Sequence, residues 1–254
     1  MSILEIKNLN FSYGKNQVLK NINLSLEEGD KLIIIGPNGC GKTTLLKVIS
    51  AYLQADSGSI TLDGRDLDSY TIKDRAKIIS VQHQNPNSSF DFTVEEVVEM
   101  GRYPFLSWTG KLSETDQKIV DDQINIMELA DLKNKSILET SGGEKGRAMT
   151  ARAFAQSPKL ILMDEPIAAM DINHQIKLMK TIEKTSDKSF IIVLHDLNLA
   201  SAFADKIALM KDGQIVALGR PEEVINAENI RQVYEVQVDV IIKDGRPFII
   251  PKYK

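Results

Sequence analysis

The residues Gly36-Pro37-Asn38-Gly39-Cys40-Gly41-Lys42-Thr43-Thr44 satisfy the pattern G-x-x-x-x-G-K-[ST] and follow the apolar run Leu32 to Ile35. Three glycines remove the side chains that would hold backbone N–H groups away from an anion. The residues from Lys42 onward read as a helix start, whose dipole adds positive field at the same place. Lys42 can reach the β- and γ-phosphates of a nucleotide as a point charge, and the Thr43 hydroxyl is placed to ligate Mg²⁺. Cys40 lies beside that helix start, where a thiol pKa is expected to fall and alkylation to block the loop. Its other role is that of a small residue filling a tight turn.

Turning over a bound triphosphate needs carboxylates and polar groups near the same place. Asp164 and Glu165 follow the apolar run Leu160 to Met163, at a strand's carboxyl end, where α/β sheets collect their ligands. Asp164 suits the Mg²⁺ shell, directly or through water, while Glu165 would polarise the water that attacks the γ-phosphate. Alone, two acidic residues at a strand end are a solvated turn, but beside a phosphate loop they become candidates. His195 ends the run Phe190 to Leu194 and reads as a γ-phosphate contact at the same sheet edge. Gln84 and Gln82 both follow Ile78 to Val81, and either could offer a neutral oxygen to Mg²⁺ or water.

These groups need a scaffold that brings strand ends together. Leu4, Ile6 and Leu9, then Ile22, Leu24 and Leu26, alternate with polar residues around Tyr13-Gly14-Lys15-Asn16, the pattern of antiparallel strands. The unbroken run Lys31 to Ile35 suits a central strand covered on both faces. Ser57 to Gly64 returns to strand and turn chemistry, and Ile78 to Val81 reads as the next core strand. From Thr93 to about Ala130 the spacing is helical, interrupted by Gly101-Arg102-Tyr103-Pro104. Ser141-Gly142-Gly143 opens a helix through Ala155, Asn173 to about Thr185 is another, and Phe190 to Leu194 is a strand. This alternation indicates a parallel α/β sheet. Lys211-Asp212-Gly213-Gln214 and Lys243-Asp244-Gly245-Arg246 are hairpin signals, with short helices over Pro221 to Ile225 and Glu228 to Val233 between them.

With 254 residues the chain can bury about three quarters of its unfolded surface without staples. A single cysteine excludes an intrachain disulfide, and nothing near the N-terminus has the order of a secretory signal, so a reducing cytosol fits. The apolar runs are far shorter than the roughly 20 residues that cross a bilayer. A net charge of −4 with interspersed signs argues against a general nucleic-acid binder.

The run Thr140-Ser141-Gly142-Gly143-Glu144-Lys145-Gly146-Arg147 resembles the signature of ATP-binding-cassette (ABC) ATPases, and it precedes Lys159 to Pro166 as that family's order requires. The resemblance adds Tyr13 as the aromatic that stacks on adenine, Asp171 at the end of Ala168-Ala169-Met170-Asp171, and His195 as a switch histidine. It implies an α/β fold, a P-loop NTPase core with a mostly parallel sheet, an N-terminal antiparallel β lobe and an inserted α-helical lobe. As one ABC domain over 1–254, the β lobe would be about 1–30 and 57–70, and the core about 31–56, 71–86 and 151–235. The helical lobe with the signature would be about 87–150, and a C-terminal hairpin 236–254. The sequence departs from the family at Thr140, Gly146, Ile167 and His83, none of which removes a charged catalytic group. Spacing back from Phe90-Asp91-Phe92-Thr93-Val94, as in relatives of this type, favours Gln84 over Gln82 as the sensing glutamine.

The same resemblance implies that ATP, with Mg²⁺, is held between the phosphate loop of one copy and Ser141, Gly142 and Gly143 of a second, head to tail. Gly101-Arg102-Tyr103-Pro104, His195-Asp196-Leu197-Asn198-Leu199-Ala200 and the tail around Val236 to Val240 are similar to the ATPases of importers for iron-siderophore complexes, haem and vitamin B12. Such a chain would sit at the cytoplasmic face of the membrane. It would work with two membrane permease subunits and, indirectly, an extracytoplasmic substrate-binding protein. An apolar patch among Phe90, Phe92, Tyr103 and Phe105 would receive the permease. An exporter ATPase shares this chemistry. A ribosome- or DNA-acting cassette protein would need a second cassette or a long coiled coil, and the sequence has neither.

Overall fold

Two strands of twelve residues each, β1 (Ser2–Tyr13) and β2 (Asn16–Glu27), open the computed structural model, which describes residues 1–83, 91–106 and 110–252. Their pairing is irregular where the repeated sequence Lys-Asn-apolar-Asn occurs in both, at Lys7 to Asn10 and Lys20 to Asn23. Asn8 and Asn21 take left-handed backbone at φ 50°, which asparagine tolerates better than most residues. The Asn23 side chain accepts from the Asn8 N–H at 2.9 Å and the Asn10 side chain from the Asn21 N–H at 3.0 Å. The asparagines therefore satisfy the backbone donors that the bulges release from the ladder.

In chain order there follow β3 (Lys31–Ile35), α1 (Lys42–Ile49), β4 (Ser57–Leu62) and β5 (Arg65–Asp66). Next come α2 (Ile72–Ile78), β6 (Ile79–Gln82), α3 (Val94–Glu99), α4 (Glu114–Ile126), α5 (Gly142–Ala155), β7 (Leu160–Asp164) and α6 (Ile172–Lys184). The remainder is β8 (Ser189–Val193), α7 (Leu197–Phe203), β9 (Lys206–Lys211), β10 (Gln214–Gly219), α8 (Pro221–Val224), α9 (Ala227–Tyr234), β11 (Val238–Lys243) and β12 (Arg246–Pro251). The fold is thus mixed α/β. Two compact units make it up, Met1–Ser69 with Ser186–Lys254, and Tyr70–Thr185.

In the first unit β3 pairs in parallel with both β8 and β9, and β10 lies antiparallel on β9. Leu32 to Ile35 and the whole of β8 are buried, as expected of strands covered on both faces. A separate antiparallel sheet runs β2-β1-β4-β5. Three Asp-Gly pairs, at Asp63, Asp212 and Asp244, turn tight hairpins with positive φ at both residues, the geometry whose twist suits a two-residue connection. The tail hairpin β11–β12 is fastened to α7: Asn198 bonds both the N–H and C=O of Ile249 at 2.7 and 3.2 Å, and Ser201 donates to the Pro247 carbonyl at 2.6 Å.

In the second unit β6 and β7 are parallel neighbours. Ile78, read as the first residue of a strand, closes α2 instead; Thr71 caps that helix by accepting from the Asp74 N–H, and the strand begins at Ile79. Thr93 and Ser113 start α3 and α4 with reciprocal capping boxes. The interruption at Gly101-Arg102-Tyr103-Pro104 is a brace made of a 3₁₀ segment, Met100–Phe105. Within it Arg102 donates to Asp116 at 2.9 Å and to the Ala155 carbonyl at 2.6 Å, tying α4 to the end of α5, and its guanidinium lies over the Phe105 ring.

Candidate nucleotide-binding site

The first unit builds the phosphate loop from β3, α1 and the β9–β10 turn. Gly36 runs at φ 153°, and a Cβ there would stand 2.3 Å from the Met210 carbonyl oxygen, so no other residue fits without moving the strand. Gly41 occupies the N-cap of α1 with no side-chain hydrogen bond, and the first turn carries no acidic residue. The leading N–H groups of α1 are thus left for an external acceptor. Lys42 is buried, and its Nζ donates to the carbonyls of Gly36 at 2.7 Å and Pro37 at 2.9 Å, which sets the ammonium inside the loop. Thr43 is half-buried and Thr44 buried. The Gly213 N–H donates to the Cys40 carbonyl at 3.1 Å, and the Gly213 carbonyl accepts from Lys20 at 2.8 Å, so the β9–β10 turn braces the loop against β2.

Cys40 corrects one expectation. Its thiol is buried, and burial pushes its pKa up by more than the neighbouring Lys42 charge and the helix-start N–H groups bring it down. Tyr234, from the last turn of α9, lies against the loop as well. Burial and the adjacent Cys40 raise its hydroxyl above the ordinary value; the Gly36 N–H faces the oxygen without completing a hydrogen bond. Nothing in the sequence pattern of α9 pointed to this contact.

His195 leaves the sheet beside the loop. Val193 pairs with Ile34 in register, and the Leu194 N–H donates to the Ile34 carbonyl at 3.2 Å, so the ends of β3 and β8 lie side by side. The His195 side chain is exposed, and Asp196 caps α7 immediately after it, accepting from the Asn198 and Leu199 N–H groups. Tyr13 closes β1 with 47% of its surface exposed and its ring edge-on to Phe11.

The second unit carries the carboxylates and the signature run. Asp164 is the buried last residue of β7. Glu165 takes left-handed backbone at φ 51°, a conformation that costs a non-glycine residue about 1–2 kcal/mol and turns the chain sharply off the strand end. Ser141 caps α5, accepting from the Glu144 N–H at 3.3 Å while its own N–H donates to Glu144 at 2.7 Å. Hydrogen bonds from the Ser141 N–H and the Ser141 hydroxyl hold the Glu144 carboxyl below the usual range. Both Ser141 and Gly142 are exposed. Cβ atoms at Gly142 and Gly143 would come within 3.1 Å of the Ala169 Cβ and 3.2 Å of its carbonyl oxygen, so the glycines let α5 start against segment 168–170. Asp171 caps α6, accepting from the His174 N–H at 3.0 Å and meeting His174 Nδ1 at 2.7 Å, contacts that lower its carboxyl pKa.

Of the two glutamines, Gln82 lies among the described residues. Gln82 is buried and spent on α5, its Nε2 3.4 Å from the Gly146 carbonyl and its Oε1 accepting from the Thr150 hydroxyl at 3.0 Å. Gln84 lies outside the described residues, as does Phe90. Tyr103 and Phe105 are exposed and Phe92 is half-buried.

A loop that presents bare helix-start N–H groups around a lysine defines a P-loop nucleotide-binding protein, and the signature run narrows the class. The family model for ABC transporters matches residues 19–168, and the chain belongs to that family. It is 36% identical to the petrobactin import ATP-binding protein FpuD of Bacillus anthracis over 99% of this chain and 94% of that protein. It is 35% identical to the ferric enterobactin transport ATP-binding protein FepC of Escherichia coli strain K12, over 96% of this chain and 92% of that one. Among solved structures, a chain of a metal-chelate type ABC transporter in an inward-facing conformation superposes with a TM-score of 0.84 at 25% identity, covering 99% of this chain and 98% of that chain.

Proposed function

We propose that this chain is the ATP-hydrolysing subunit of an importer, energising uptake of an iron-siderophore or related metal chelate through separate membrane permease subunits. The observation that carries the ATP reading is the uncapped start of α1 with the Lys42 ammonium set inside the loop before it. That arrangement offers backbone N–H groups, a helix dipole and a fixed cation to a triphosphate. Thr43 and Asp164 offer a hydroxyl and a carboxylate oxygen, the hard donors that Mg²⁺ prefers alongside phosphate oxygens and water. Among the described residues no cluster of three or more His, Cys, Asp or Glu is placed to hold a metal, so an ion here would rest on few protein ligands. Bound Mg²⁺ would neutralise phosphate charge.

Glu165 orients and polarises the attacking water. The water's oxygen forms a bond to the γ-phosphorus while the bond from that phosphorus to the β,γ-bridging oxygen breaks; one water hydrogen stays on the released phosphate, the other leaves as a proton by way of the Glu165 carboxylate to solvent, and ADP and inorganic phosphate result. His195 contacts the γ-phosphate. The engagement of Gln82 with α5 supports Gln84 as the sensing glutamine. Exposure of Ser141 and Gly142 supports a head-to-tail dimer in which they complete the partner's site, with Asp171 and Tyr13 contacting the nucleotide or its neighbours. No helix among the described residues is long and apolar enough to cross a membrane, and the chain would sit peripherally on the cytoplasmic face, receiving a permease near Tyr103 and Phe105. The cargo reading rests on the near full-length likeness to importers of iron compounds. Its test is uptake of radiolabelled ferric chelates by cells lacking the chain: the wild-type sequence restores uptake and Glu165→Gln does not. Equal uptake with and without the chain would overturn the reading.

A further inference from the structure

In the second unit a cavity of about 290 Å³, whose lining includes none of Asp164, Glu165 and Ser141, opens where the C-terminal end of α4 meets α5 and α6. Its charged lining is one-sided: Arg147, Lys177, Lys180 and Lys184 against Glu128, four cations and one carboxylate, a net of +3. Lys177 neutralises Glu128 through bonds of 2.7 and 3.0 Å, which hold that carboxyl below its ordinary pKa. His174 is engaged with Asp171 at Nδ1. Arg147, Lys180 and Lys184 have no ion pair among the described residues, and the Arg147 Nε is buried without an acceptor. A buried guanidinium N–H lacking an acceptor costs free energy unless something supplies one, and a concave surface of one sign concentrates counter-ions. The floor is apolar, formed by Met127, Met170 and Leu178.

We infer that this cavity binds a small multivalent oxyanion with a short apolar body, such as a di- or tricarboxylate or a phosphate compound. Its oxygens would meet the Arg147 guanidinium and the ammonium groups of Lys180 and Lys184, and its carbon skeleton the methionines and Leu178. Arg147 belongs to the helix that Ser141 starts, and His174 to the helix that Asp171 starts, so an occupant spans both. The site does not depend on the nucleotide reading. Isothermal titration of the full chain with citrate, and separately with inorganic phosphate, at constant ionic strength set by sodium chloride, tests it. Wild type and Lys42→Ala should each bind one anion saturably, while Lys180→Ala/Lys184→Ala, both exposed positions, should weaken binding at least tenfold. Preference for citrate or for phosphate identifies which oxyanion chemistry the site takes. Absence of saturable binding, unchanged affinity in the double variant, or loss of binding in Lys42→Ala with retention in the double variant would each overturn the inference, the last by placing the anion on the phosphate loop.

Discussion

At the scale of single residues, the loop uses charge placement rather than charge number. The Lys42 ammonium is held by two carbonyls of its own loop, so it is already positioned when a nucleotide arrives and loses little side-chain entropy on binding. A charge-assisted hydrogen bond of this kind is worth roughly 1.5–3 kcal/mol, so Lys42→Ala should weaken MgATP binding by about 10–100-fold. Unchanged affinity in a fluorescence titration with a nucleotide analogue would contradict it. Cys40 makes the opposite case, a group whose surroundings suppress its chemistry. With the thiol pushed above its ordinary value by burial, the thiolate is scarce at pH 7 and grows only as pH rises through that raised pKa. Iodoacetamide should therefore modify Cys40 more slowly than it modifies free cysteine, with the rate still climbing above pH 9. Rapid modification at pH 7 would show that the Lys42 charge prevails over burial.

At the scale of elements, Arg102 ties α4 to the end of α5 in the second unit. Its pair with Asp116 is largely buried, the side chains 7% and 13% exposed, and the same guanidinium closes the carbonyl end of α5. Removing one partner of a buried pair strands the other, so Arg102→Ala should cost about 3 kcal/mol and lower the Tm by roughly 6–12 °C. A fall under about 2 °C by calorimetry would reduce the pair to a surface contact. The Asp116 carboxyl is lowered first by its Ser113 hydrogen bond and then by Arg102, so its contribution is full at neutral pH and fades only below about pH 4. Gly101-Arg102-Tyr103-Pro104 was legible as a break in helical spacing, but periodicity carries no information about which distant carbonyl an arginine reaches. The same holds for Asn198, visible in the sequence after His195, whose bonds to Ile249 fasten the tail hairpin to α7. The helix that Ser141 opens, the hairpin turns at Asp212 and Asp244 and the buried strands are legible because their signals are local. Helix α2 is not legible, being only seven residues long, and Ile78 at its end satisfies both a helix end and a strand start.

At the scale of the whole molecule, the composite site makes a prediction that one chain cannot satisfy alone. Each ATP would need the phosphate loop of one copy and the Ser141-Gly142-Gly143 start of α5, exposed at Ser141 and Gly142, from another. A Lys42→Ala chain lacks the first half and a Gly142→Asp chain the second, since an aspartate there would set a negative charge against phosphate and crowd Ala169. Each variant alone should show almost no ATPase activity. In an equimolar mixture, the dimers that pair one of each contain one site with both halves intact and one with neither. Half of all dimers are of that kind if pairing is random, and only their intact site works. The mixture should therefore recover up to about a quarter of wild-type turnover per chain if sites act independently, and less if both must fire together. Light scattering of a Glu165→Gln chain, expected to dimerise in ATP and not in ADP, supplies the physical readout. A mixture as inactive as its components, alongside an ATP-dependent Glu165→Gln dimer, would mean that hydrolysis requires two intact sites at once. A Glu165→Gln chain that stays monomeric at high ATP would mean that the chain closes on nucleotide only when its permease holds two copies together.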